Sequence, residues 1–97
     1  MSRSLLERRL SEVATRLRQL REELLVTDEQ LAALVDVADD ARLRSLVSET
    51  PLADRESEEA TRHAEAMARH RADVAARIAD VERAQDDLLD RLLAESK

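Results

Sequence analysis

Between Leu6 and Ala41 the aliphatic residues recur at alternating steps of four and three: Leu6, Leu10, Val13, Leu17, Leu20, Leu24, Leu31, Leu34, Ala38 and Ala41, with Thr27 filling the one remaining mark. A 3.5-residue repeat sustained this long keeps one seam on one side of an underwound helix, the pattern of a coiled coil. The positions between are mostly Arg, Glu, Asp and Gln. Composition closes off the alternatives. The 97 residues include no Gly, no Cys and no Phe, Tyr or Trp, and 39% of them are charged. A chain without Gly has no easy route to positive φ, so tight hairpins and phosphate-cradling loops are disfavoured. A chain without aromatics has little to fill a compact core and nothing to stack on a base. The profile is that of long helices in a single small domain.

Ser4-Leu5-Leu6-Glu7 reads as a capping box, with Ser4 as N-cap, and starts a first helical arm of about residues 5–48. Thr27-Asp28-Glu29-Gln30 offers a second box, and a break there would give a three-helix variant. Against it, Leu24 and Leu31 stay in phase across Thr27, which favours one continuous helix. Ser48-Glu49-Thr50-Pro51 is the true interruption: Pro51 cannot continue a helix but suits the first position of a new one, with Thr50 as N-cap and Asp54 in the first turn. The second arm, about 51–95, carries Ala60, Ala64, Met67, Val74, Ile78, Val81, Gln85, Leu88 and Leu92. Between Met67 and Val74 the phase runs through His70 or Arg71, with a slight slip of the kind a stutter produces.

A short link makes the two arms antiparallel neighbours, so that residue numbers across the hairpin sum to about 99. The seam is then Leu10, Leu17, Leu20, Leu24 and Leu31 against Met67, Val74, Ile78, Val81, Leu88 and Leu92. Thr27, His70 and Gln85 read as polar positions within it that fix its alignment. Alanines dominate near the turn, whereas adjacent leucines widen the stripe elsewhere. Leu5, Leu25, Leu89 and Leu93 are therefore expected to remain partly wet and to form a self-association surface at the open end, giving a four-helix homodimer.

The net charge of −6 is concentrated in the middle of the chain. Residues 28–59 hold ten acids against Arg42, Arg44 and Arg55. The acidic balance opposes general binding to nucleic acid or anionic membranes, and no apolar run reaches membrane-spanning length. Absent cysteines point to no oxidising compartment. A cytoplasmic protein of bacterial origin, rich in Arg, Ala and Asp relative to Lys, is the expectation. Glu59, His63, Met67 and His70 approach one face of the second arm, but the spacing matches no helical metal site. No cofactor is expected, and a helical pair without insertions offers no pocket for catalysis. Arg8, Arg9, Arg16, Arg18 and Arg21 make the first arm locally basic, although interleaved Glu residues favour a solvated face over a nucleic-acid stripe.

Asp36, Asp39, Asp40, Glu49 and Asp54 gather toward the turn as a candidate acidic interaction end. Within it, Asp36-Val37-Ala38-Asp39-Asp40-Ala41 resembles the Asp-x-x-Asp-x-Ala tip motif of the DksA/TraR family, whose members, like the Gre factors, enter the secondary channel of RNA polymerase. The resemblance implies a transcription regulator presenting Asp36 and Asp39 to the polymerase. The zinc-finger cysteines of that family and the globular domain of the Gre type have no counterpart in this sequence. The residues themselves argue for a non-enzymatic coiled-coil adaptor, scaffold or regulator whose partner is a second copy or another helical protein.

Overall fold

The computed structural model describes residues 2–96. They form an all-α hairpin of two helices, α1 (Arg3–Ser48) and α2 (Pro51–Glu95), with no strand among the described residues. The start of α1 differs from the expectation. The side chain of Ser2, not Ser4, accepts the Leu5 amide at 3.2 Å, and the Ser2 carbonyl accepts the Leu6 amide at 3.0 Å. Ser2 is thus the N-cap, Ser4 lies inside the first turn, and Glu7 pairs with Arg3 at 3.1 Å instead of closing a capping box. Nothing interrupts α1 at Thr27, and the three-helix variant does not form. The burial pattern explains why: Thr27 is 2% exposed, in phase with the seam on either side of it. A break would remove that mark and turn Leu31, Leu34 and Ala38 out of phase with Leu20 and Leu24.

Thr50 and Pro51 act as the sequence implies. The Thr50 hydroxyl accepts the Ala53 amide at 3.2 Å, its carbonyl accepts the Asp54 amide at 3.1 Å, and Pro51 occupies the first helical position, where its missing N–H costs nothing. At the other side of the turn the Glu49 amide donates to the Ser45 carbonyl at 3.0 Å, and Glu49 takes a left-handed φ of 50°. This is the conformation a glycine usually supplies after a helix. The Ser45 hydroxyl then donates to the Asp54 carboxylate, tying the end of α1 to the start of α2.

Two compact units divide the chain: one is Leu25–Asp73 around the turn, and the other joins the part of α1 up to Leu24 to the part of α2 from Val74. In the turn unit the least exposed marks are Thr27, Leu31, Leu34, Ala38, Ala41 and Ser45 on α1, and Ala53, Ser57, Ala60, Ala64, Met67 and Arg71 on α2. Both series keep the four-three alternation, and Ser45 with Asp54 and Asp28 with Arg71 bridge the two helices. The polar mark on α2 is therefore Arg71, half-buried, and not the exposed His70. No stutter occurs between Met67 and Val74. Arg71 can hold a seam position because its aliphatic stem lies along the seam while its guanidinium reaches outward, where Nε meets Asp28 Oδ1 at 2.5 Å. The residues buried here are Thr27, Ala41, Ala53 and Ala64, and among them no large aliphatic side chain appears.

The terminal unit has the opposite character. Its buried residues are Leu6, Leu17, Leu20, Val74 and Leu88, with Leu6, Leu20 and Val74 fully covered. Leu10, Val13 and Leu24 on α1 and Ile78, Val81, Gln85 and Leu92 on α2 complete the stripe at intermediate exposure. Both helices again keep the four-three alternation, through 6, 10, 13, 17, 20 and 24 on α1 and 74, 78, 81, 85, 88 and 92 on α2. Arg21 crosses from α1 to Glu82 on α2 at 3.5 Å. All eleven expected seam residues are thus buried or half-buried.

Candidate functional site: an aliphatic outer face near the turn

Among the described residues, ten large aliphatic side chains are exposed: Leu25, Val26, Val35, Val37, Leu43, Leu46, Val47, Leu52, Leu89 and Leu93, with Val47 the most so at 84%. Eight of the ten belong to the turn unit. Between Val35 and Leu52 the buried mark is an alanine, Ala41, while Leu43, Leu46, Val47 and Leu52 are turned to water; the larger seam residues of the unit, Leu31, Leu34 and Met67, lie outside this stretch and are only half-buried. Full burial of a side chain of this size is worth about 1.5–3 kcal/mol, of which a partly exposed one forgoes a share, and a group of them marks an interaction surface far better than any single one does.

Part of the group shares one helical face, while Val37 and Val26 lie on other sides of α1 and Leu52 on α2. Val35, Asp39, Arg42 and Leu46 follow the same four-three alternation as the seam but on another side of α1, with Leu43 alongside. Asp39, Arg42, Leu43 and Leu46 line one shallow, solvent-open depression. A second open depression in the turn unit runs past Val37, Arg44, Glu56, Glu59 and His63. Neither encloses a volume that shields reacting groups from water. Among the described residues, no group of three or more His, Cys, Asp and Glu side chains is placed to hold a metal ion, and no helix is long and apolar enough to cross a membrane.

Asp36, Asp39, Asp40, Glu49 and Asp54 all belong to the turn unit. Asp36, Asp39 and Asp40 are exposed in the body of α1, about 14–20 Å before Glu49 at the helical rise of 1.5 Å per residue. Glu49 and Asp54 flank the turn itself, Glu49 by its backbone and Asp54 as the acceptor from Ser45. The stretch that resembles the DksA/TraR tip therefore lies within a helix and not at a tip. The four leucines expected at the open end also separate. Leu89 and Leu93 are exposed in the terminal unit and Leu5 is half-buried there, while Leu25 belongs to the turn unit. Arg8, Arg9, Arg16, Arg18 and Arg21 are exposed on α1, the last of them engaged with Glu82.

No family model, curated protein or solved structure matches the chain. Val35, Leu43, Leu46, Val47 and Leu52 are the residues that reading the heptad alone passes over. Their signal in the sequence is that they are large aliphatics standing off the four-three marks, within a segment whose on-mark residues are Ala38 and Ala41.

Proposed function

We propose that this protein is a non-enzymatic interaction module, a helical hairpin that self-associates or docks on a larger assembly. The observation that carries the reading lies in the turn unit, where Leu43, Leu46, Val47 and Leu52 are more than half exposed while Ala41, Ala53 and Ala64 are buried. Leucines placed inward would stabilise the hairpin by themselves, so their outward placement is explained by a surface that covers them. The two-helix architecture with aliphatic residues on its surface supports an adaptor, scaffold or regulator.

Site-specific photo-crosslinking in the cells that make the protein tests this. Probes replacing Leu43, Leu46, Leu89 or Leu93 are expected to give adducts of defined mass, and probes on solvated positions such as Arg18 or Glu65 are not. If all six positions give the same faint background, the interaction reading is wrong.

A further inference from the structure

The outer face of α1 in the turn unit carries a charge pattern that specifies what covers it. Reading outward from the Asp40–Ala41 bond, Asp39 on one side matches Arg42 on the other, and Val35 matches Leu46. Acid thus mirrors base, and aliphatic mirrors aliphatic. A surface with this inverted symmetry is complementary to itself under a two-fold axis perpendicular to the helix, the operation that relates the subunits of most homodimers. We infer that a second copy of this chain docks there, α1 against α1 in antiparallel orientation, with the axis passing the Asp40–Ala41 bond.

The four matched residues share one helical face, since steps of four, three and four keep Val35, Asp39, Arg42 and Leu46 within about a third of the helix circumference. Two copies then form four layers: Val35 on Leu46 at each end and Asp39 with Arg42 in the two central ones. All four residues are exposed in the single chain, with Val35 and Leu46 at 41% and 66%. Leu43, 61% exposed, adjoins Asp39, Arg42 and Leu46 in the same depression and screens the central ion pairs from water, which strengthens them. An opposite, parallel alignment would bring Asp39 onto Asp39 and Arg42 onto Arg42, so the charges also fix the orientation.

This inference rests on the interaction reading above but is more specific, and its test separates the two. Sedimentation equilibrium at low salt is expected to show a reversible monomer–dimer equilibrium for the native chain. Asp39→Arg and Arg42→Asp each place like charges together in the central layers, and each alone is expected to raise the dissociation constant at least about tenfold. Mixed in equal amounts, the two variants restore opposite charges in every central layer and are expected to form a heterodimer within about threefold of native affinity. Leu46→Glu is expected to abolish dimerisation in its own right, and circular dichroism checks that each variant keeps native helicity. A native chain that stays monomeric to about millimolar concentration, single variants that dimerise like the native chain, or a mixture that stays monomeric each overturn the inference. A monomer that still yields cross-links to another protein from positions 43 and 46 overturns the second-copy inference and leaves the interaction reading standing.

Discussion

Leu20 and Leu25 are five residues apart on the same helix, yet one is wholly buried and the other 67% exposed. Replacing each with alanine therefore isolates the seam from intrinsic helix preference, because the local sequence change is the same. Leu20 occupies a seam mark on α1, and Val74 on α2 is fully covered as well. Truncating a leucine in such a place costs about 2–5 kcal/mol, as the lost transfer free energy and the residual cavity add. For a domain of this size each kcal/mol lowers the melting temperature by about 4–8 °C. A loss of about 3 kcal/mol then corresponds to about 12–24 °C, and to a large share of the total stability that small domains possess. Leu25→Ala, by contrast, is expected to stay within about 0.5 kcal/mol of the native chain. Urea and thermal unfolding followed by circular dichroism, at one fixed protein concentration so that association does not shift the midpoint, give both numbers. Equal losses at the two positions, or a loss below about 1 kcal/mol at Leu20, would refute the assigned seam.

Other substitutions probe the turn and the polar layer. Glu49→Gly relieves a left-handed residue that carries a Cβ, and a gain of about 0.5–1 kcal/mol is expected by urea unfolding, the relief being partly offset by the greater freedom of glycine in the unfolded chain. No gain would mean that the Glu49 backbone costs nothing where it is. Thr27→Val removes a hydroxyl from a nearly closed site while keeping its shape, and the melting temperature should rise by a few degrees; a clear fall would give the hydroxyl a stabilising role. Asp28→Asn discharges the partner of Arg71 on a half-exposed pair, so a loss of under about 1 kcal/mol is expected that shrinks further in high salt. A salt-independent loss of several kcal/mol would show that the Arg71 guanidinium depends on that carboxylate far more than its exposure implies.

The fold was legible because the strongest signal in the chain is also the one that packing obeys. A four-three alternation from Leu6 to Ala41, a proline preceded by a threonine, and leucines at 88 and 92 are enough to locate both helices and the link. What escaped depended on atoms outside the alternation. Ser2 outcompeted Ser4 as a cap because helix starts are decided by which side chain meets a free amide, and Ser2 does so although only Ser4 has a glutamate three residues on. Arg71 looked less suited to the seam than His70 because hydropathy counts its charge, whereas packing uses its stem. The outer face was missed for a related reason. Val35, Leu43, Leu46 and Val47 fit no single helical stripe with the seam residues, and a one-stripe reading discards apolar residues that do not fit. The acidic residues were legible as a group near the turn, while their spacing follows the helix, which spreads the fourteen residues from Asp36 to Glu49 over several turns.

Only Glu49 and Thr50 separate the end of α1 from the beginning of α2. Slippage of one helix along the other by a full seven-residue repeat would displace it by about 10 Å, and two residues pulled taut reach about 7 Å. The tether is thus a gauge: it permits one alignment of a zipper whose alanines and leucines would otherwise tolerate several. Freed from that task, most of the contact stripe can be plain aliphatic, and lengthening the tether by a few flexible residues should be the simplest way to let neighbouring alignments compete.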